Sequence, residues 1–227
     1  MTLKEFSIEF DILYNNISSN KAPGLNDYEK SIFLTKAQEE IITELYSGRN
    51  GTQNSFEETE EQRRYLNALV TTKVCNEYKT TILNPLEVIT NTSTIFELPE
   101  DVMFITYESA RINSKEISVY PVSQDELSKI LKNPFRGPSN NRVLRLDIGT
   151  NMVELISVED ISSYKIRYIR KPNPIILPLN NEGITINDEG ITINGKSEQS
   201  DCELDSSLHR TILDRAVALA LQTMYSK

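Results

Sequence analysis

The sequence has few of the residues on which most enzymes and metal sites depend. It contains one His, two Cys and no Trp in 227 residues. His209 and Cys202 have no second His or Cys at the spacing of a zinc site, and neither a Gly-rich phosphate loop nor a Gly-x-Ser-x-Gly motif occurs. These absences limit the enzymatic options, and we predict no catalytic, cofactor-binding or metal-binding residues. At the start of a helix, His209 is expected to be a capping or surface residue.

Positive charge and long apolar runs are also scarce. The chain has 24 basic against 33 acidic residues, a net charge of −9, which argues against a protein that grips DNA or an anionic membrane. The longest charge-free apolar run, residues 216–226, is shorter than the roughly 20 residues of a membrane span, and the N-terminus lacks a signal-peptide hydrophobic region. Cys75 and Cys202 are far apart, which indicates a reducing compartment. These features predict a soluble, intracellular globular protein.

Helix signals dominate both ends of the chain. Capping boxes, in which a side chain and a backbone amide bond reciprocally, are predicted at Thr2-x-x-Glu5, Asn26-x-x-Glu29 and Ser55-x-x-Glu58. After the third box, apolar residues at helical spacing predict the buried face of a helix: Leu66, Leu69, Val70, Val74 and Tyr78. A final helix, apolar around most of its circumference, is predicted over residues 207–225 behind a cap at Asp205.

The middle of the chain has the period of β-strands. Short alternating runs fill residues 91–178, interrupted by one helix at about 124–132. The predicted fold class is therefore α+β: a helical bundle of residues 1–90 and 203–227, with a β-rich insertion at 91–178. Residues 179–202 are expected to form an extended loop or hairpin. They contain Glu-Gly-Ile-Thr-Ile-Asn twice, at 182–187 and 189–194.

Charge is unevenly distributed along the chain. Residues 27–62 and 177–205 each carry a net charge of −6, and residues 129–172 carry +5. Three interpretations stay open: ordinary surface variation, complementary faces for head-to-tail association, or a nucleic-acid patch, which the few interleaved aromatics disfavour. The acids of residues 57–61 fit a solvated first helical turn better than a two-metal nuclease site.

Several segments together resemble the head–tail connector proteins of short-tailed phages, in particular the structural ring proteins of crAss-like phages. The segments that carry the resemblance are Asp27-Tyr-Glu-Lys-Ser-Ile-Phe-Leu-Thr-Lys-Ala-Gln-Glu-Glu40, Leu98-Pro-Glu-Asp-Val-Met103, Pro134-Phe-Arg-Gly-Pro138, Tyr168-Ile-Arg-Lys-Pro-Asn-Pro-Ile-Ile176 and Cys202-Glu-Leu with Leu208-His209. The resemblance extends over nearly the whole chain.

The resemblance implies a virion structural protein, not an enzyme. It would be a subunit of a connector or adaptor ring, a dodecamer, at the head–tail junction of the virion, assembled in the host cytoplasm. The expected partners are its own copies, the portal protein and other tail or ring proteins. The ring would line or surround the channel through which DNA leaves without specific binding, and no membrane partner is expected. The alternatives are a carboxylate-based metal-dependent nuclease and a small intracellular binding module.

The predicted protein-interaction residues lie in two loops with Pro and Gly, because such loops project from the surface as rigid segments to which a partner can bind. They are Asn133, Pro134, Phe135, Arg136, Gly137 and Pro138 in one loop, and Arg170, Lys171 and Pro172 in the other.

Overall fold

A computed structural model describes residues 1–18, 24–48, 56–78, 92–149, 151–178 and 192–225. The chain divides into two compact units. Unit 1 is Met1–Leu69 with Lys171–Lys227, and unit 2 is Val70–Arg170. The repeat copy at 182–187 lies outside the described residues, as does the first half of the copy at 189–194. The hairpin predicted there therefore stays a prediction.

Unit 2 is a closed β-barrel. Its described strands are β1 (Val70–Glu77), β2 (Thr92–Glu97), β3 (Val102–Ile112), β4 (Lys115–Val122), β5 (Arg142–Gly149), β6 (Met152–Ser157) and β7 (Ser163–Arg170). Their order around the barrel is β1-β2-β6-β5-β4-β3-β7. The β4–β5 pair is parallel, and a parallel pair needs a crossover connection. That connection contains the helix α4 (Gln124–Leu131).

Alternate residues of the strands fill the barrel, as the period of two requires. The interior cluster includes Phe96, Val143, Leu155, Tyr164 and Ile166, all nearly inaccessible to solvent. A second apolar cluster forms outside, where α4 covers the opposite face of β5 and β6. Its buried members are Leu127, Ile130, Leu144, Leu146 and Ile156.

Unit 1 contains the other helices of the described chain. They are α1 (Leu3–Ser18), α2 (Asp27–Ser47), α3 (Glu60–Leu66) and α5 (His209–Tyr225). Two predicted capping boxes are confirmed: Thr2 and Glu5 exchange hydrogen bonds of 2.7 and 3.3 Å, and Asn26 and Glu29 exchange bonds of 2.9 and 2.8 Å. α5 packs against both α1 and α2. None of the helices described is both long and apolar enough to cross a membrane.

A row of buried polar side chains on α2 holds an extended segment at residues 173–177. The Ser31 hydroxyl accepts a hydrogen bond from the backbone N–H of Leu177 at 3.0 Å. The Thr35 hydroxyl accepts one from Ile175 at 3.1 Å. One turn further along α2, the Gln38 amide donates to the carbonyl of Asn173 at 2.9 Å. Polar groups on one helix face thus bond alternate backbone groups of the segment, while Ile176 between them forms a β-bridge with Ser200.

The predicted fold class, a helical bundle with a β-rich insertion, is wrong, because the described strands form a closed seven-stranded barrel that is a unit of its own. The barrel begins at Val70, inside the segment predicted to be helical. α3 ends at Leu66, and its N-cap is Thr59, not Ser55, which lies outside the described residues. The next residues are rich in Val and Thr, whose branched side chains favour an extended backbone. Val74, predicted on a buried helix face, is 62% exposed on β1.

Candidate protein interface beside the loop after α4

The loop at residues 133–138 is organised by its first residue. The side-chain oxygen of Asn133 accepts a hydrogen bond from the N–H of Phe135 at 2.9 Å. The backbone carbonyl of Asn133 accepts from Arg136 at 3.1 Å and from Gly137 at 2.8 Å. Asn133 thus accepts hydrogen bonds from three successive backbone N–H groups, and the loop is ordered before any partner binds.

Gly137 allows this loop to close tightly. A Cβ atom at this position would lie 3.1 Å from the carbonyl oxygen of Asn133 and 3.5 Å from that of Ile130. Both neighbours are backbone atoms, and the Asn133 oxygen already accepts two loop hydrogen bonds. Any larger side chain would therefore push the loop away from the end of α4.

The loop presents Phe135 to solvent. This side chain is 87% exposed, the highest value among the large apolar side chains in the described part of the chain. The Arg142 guanidinium donates to the carbonyl of Phe135 at 2.6 Å and lies 5.1 Å from the centre of the Tyr120 ring, within the range of a cation–π interaction. Arg142 therefore joins the loop to β4, and Tyr120 itself is 47% exposed.

Phe135 stands at the edge of an open groove of about 290 Å³ on the outside of the barrel. The residues that line the groove are Tyr120, Pro121, Val122, Glu126, Ile130, Phe135, Arg136, Arg142 and Leu144. Aromatic and arginine side chains carry most of the binding energy in protein interfaces. Two arginines against one acid give the groove a net positive charge. Its composition is that of a protein interface for an anionic partner.

The structure places the two predicted interaction loops differently. Phe135 and Arg136 of the first loop line the groove. In the second loop, Arg170 ends β7, Lys171 is exposed and Pro172 is buried. None of these three lines the groove. The role of both loops in protein interaction stays a prediction.

Sequence reasoning missed Tyr120 and Arg142. They lie on strands β4 and β5, whose parallel pairing brings them together in the groove. Ser118 lies opposite Arg142, and Tyr120 lies opposite Leu144. Strand pairing of this kind leaves no local pattern in a single sequence. The available signal was only the basic charge of residues 129–172.

A second charged cluster lies in the barrel, where Glu108 and Arg145 are half-buried and Asp147 is exposed. The Glu108 carboxylate binds Arg145 Nη1 at 2.5 Å and accepts from the Tyr164 hydroxyl at 2.7 Å. Arg145 Nε lies 3.2 Å from Asp147 without the alignment of a hydrogen bond. Burial raises the pKa of Glu108, while the Tyr164 hydrogen bond and the Arg145 charge oppose that rise. Burial also raises the pKa of Cys75 to about 12, which keeps this thiol protonated and unreactive.

His209, predicted to be a capping or surface residue, is instead buried, with 8% of its surface exposed. Its Nε2 donates to the carbonyl of Leu204 at 3.2 Å, so the neutral ring carries its proton on Nε2 and Nδ1 is an acceptor. The amino nitrogen of Met1 lies 2.7 Å from Nδ1, and the Phe6 ring lies 5.4 Å from the imidazole. Burial lowers the pKa of His209.

The acids of residues 57–61 do not form the desolvated pocket that a carboxylate nuclease needs. Glu57, Glu58, Glu60 and Glu61 are all exposed. Among the residues described, no group of three His, Cys, Asp or Glu side chains is placed to hold a metal ion.

Comparison with known proteins identifies the family. The family model described as phage tail ring protein 3/4 matches residues 1–227. The chain is 46% identical to Ring protein 3 of Bacteroides phage crAss001 over 230 residues, which cover 97% of this chain and 95% of that protein. It is 36% identical to Ring protein 4/5 of the same phage over 226 residues, 97% of this chain and 92% of that protein.

These matches confirm the resemblance to ring proteins of crAss-like phages that the sequence segments predicted. The family model and both relatives extend over almost the whole chain, including the barrel and the groove. The chain therefore belongs to the phage tail ring protein 3/4 family and is a structural ring protein of a phage virion.

Proposed function

We propose that this chain is a subunit of the connector ring between the portal and the tail, and that the ring surrounds the channel through which DNA leaves the head. The observation that carries the proposal is membership of the ring protein family over residues 1–227. The preordered loop at 133–138 and its groove supply the contact with a neighbouring protein. The expected assembly is a dodecamer at the head–tail junction, formed in the host cytoplasm.

The charge distribution supports a ring that borders DNA without holding it. Unit 1 contains 20 acidic and 12 basic residues, and unit 2 contains 13 acidic and 12 basic residues. Nearly all of the acid excess is therefore in unit 1. An acidic wall repels phosphate and lets DNA pass, whereas a protein that grips DNA gains affinity from each Lys or Arg that displaces a counterion.

Co-expression with the portal protein of the same phage tests the location. Size-exclusion chromatography with light scattering should give a complex whose mass fits the portal plus a closed ring of this chain. A chain that stays separate from the portal, with and without the other ring proteins, would contradict the connector role.

A further inference from the structure

We propose that the groove beside Phe135 binds the acidic turn that precedes and begins α3, residues 57–61, of a second copy of this chain. The inference rests on the proposed ring function and names the contact between neighbouring subunits. One surface of the contact lies in unit 2 and the other in unit 1. Because the two surfaces differ, each copy can use its groove for one neighbour and its acidic turn for the other, which is the arrangement that closes rings.

The groove has the chemistry for an anionic partner. Arg136 is exposed at its rim, and Arg142 lies over Tyr120 at 5.1 Å, while Glu126 is the single acid among its lining residues. A guanidinium that is stacked on an aromatic ring still offers its edge to carboxylates, and Arg binds them with two parallel hydrogen bonds. Phe135, 87% exposed, supplies an apolar anchor next to these charges.

The acidic turn has the complementary chemistry. Four of the five residues at positions 57–61 are glutamates, all exposed. The turn is anchored at both sides: Phe56 is 1% exposed and its N–H donates to the carbonyl of Tyr46 at 3.3 Å, and the Thr59 hydroxyl caps α3 through the N–H of Gln62 at 3.4 Å. An anchored acidic turn loses little conformational entropy when it binds.

The two surfaces carry charge of opposite sign. Two arginines and one acid line the groove, and residues 57–61 include four glutamates. Charge complementarity between two surfaces of one chain favours a second copy as the occupant over an unrelated protein. The portal protein or another ring protein as occupant is the outcome that the experiment must separate.

Photo-crosslinking identifies the occupant directly. Phe135 is replaced by p-benzoylphenylalanine in the full chain, and the chain is irradiated alone and after assembly with the portal protein. Mass spectrometry should find intermolecular crosslinks to the peptide that contains residues 57–61. Crosslinks only to the portal, crosslinks only to other segments of this chain, or no intermolecular crosslink would each overturn the inference.

Charge reversal supplies the energetic test. Arg136→Glu and Glu58→Lys should each weaken self-association by about tenfold or more, as loss of a charged contact in an interface predicts. The two variants mixed or combined should recover most of that loss. Lys165→Glu is the matched control, because neither Lys165 nor Glu116, its exposed ion-pair partner at 3.2 Å, lines the groove. Loss of an exposed ion pair costs little, so the substitution should leave self-association unchanged. Equal weakening by the control, or no recovery in the pair, would overturn the inference.

The inference and the proposed function fail separately. If the chain joins the portal in a ring but Arg136→Glu has no effect, the connector role stands and this subunit contact is wrong. If residues 57–61 crosslink to the groove in solution but the chain never associates with the portal, the contact stands and the proposed location is wrong.

Discussion

The carboxylate of Glu203 holds Asn173 with both of its oxygens. Oε2 accepts from the backbone N–H of Asn173 at 2.8 Å, and Oε1 accepts from its side-chain amide at 2.9 Å. Lys196 donates to the side-chain oxygen of Asn173, and Gln38 donates to its carbonyl. All the polar groups of Asn173 are therefore bonded, and the extended segment at 173–177 is fixed on α2.

Glu203→Ala should lower the free energy of unfolding by about 2 kcal/mol, because it removes two hydrogen bonds to a charged acceptor and leaves a part-buried N–H without its partner. Chemical denaturation followed by circular dichroism measures the change. Glu198→Ala is the matched control, since Glu198 is exposed, and it should change stability by less than about 0.5 kcal/mol. Equal effects of the two substitutions would show that the Asn173 contact does not stabilise the fold.

Three of the segments that resemble ring proteins meet at this place. Ser31, Thr35 and Gln38 come from the segment 27–40, Asn173 and Ile175 from 168–176, and Glu203 from 202–209. Sequence reasoning recognised the segments without finding why they belong together. The reason is a set of hydrogen bonds between residues 30 to 146 positions apart, and such contacts leave no local periodicity.

Local signals predicted local structure well. The capping boxes at Thr2 and Asn26 are present because each depends on four consecutive residues, and the helix predicted at 124–132 is α4 (Gln124–Leu131). Barrel closure could not be predicted in this way. It depends on the pairing of β1 with β7, for example Val70 with Ile169, which are 99 positions apart.

The candidate site was predicted in part. The Pro and Gly residues of the loop at 133–138 indicated a stiff exposed turn, and Phe135 in this loop is indeed largely exposed. The floor of the groove, with Tyr120 and Arg142, depends on β4 and β5 lying side by side. Strand neighbours in a barrel are set by the whole topology, so the sequence near each residue contains no sign of them.

The ion pair inside the barrel should be sensitive to the loss of one partner. Glu108→Gln removes the nearer of the two carboxylates at the half-buried Arg145 guanidinium and leaves only the exposed Asp147 beside it. We expect a loss of about 3 kcal/mol in the free energy of unfolding. Tyr164→Phe, which removes only one hydrogen bond to Glu108, should cost about 1 kcal/mol.

The double variant Glu108→Leu with Arg145→Met tests whether the ion pair adds to the stability of the barrel or only offsets the cost of its own burial. Apolar residues of similar size should recover most of the stability that Glu108→Gln loses, because they remove the cost of burying two charges. Urea denaturation of all four proteins gives the comparison. A double variant less stable than Glu108→Gln would show that the ion pair stabilises the barrel by more than the cost of burying its two charges.

Gly137→Ala should disturb the loop that carries Phe135. The added methyl group would meet the Asn133 carbonyl at 3.1 Å, and overpacking against backbone costs about 1–3 kcal/mol. Gly149→Ala is the control, because a Cβ there has no atom within 4 Å, and the substitution should be neutral or slightly stabilising. Thermal unfolding measures both, and an unchanged Tm for Gly137→Ala would contradict the tight closure of the loop.

His209 should titrate below its ordinary pKa of 6.5, because burial disfavours the charged ring. Between the folded and unfolded pKa values the unfolded chain binds more protons than the folded protein. The free energy of unfolding should therefore fall as the pH drops from about 6.5. Since the chain has one His, its imidazole proton signal in NMR reports the titration without assignment. A midpoint at or above 6.5 would contradict the buried neutral ring.

Cryo-electron microscopy of the head–tail junction in intact virions decides whether this chain forms the connector ring. We expect a closed ring of copies of this chain between the portal and the tail, around the path of the DNA. Density for this chain away from the portal axis, or a junction that contains no ring of it, would rule out the connector role.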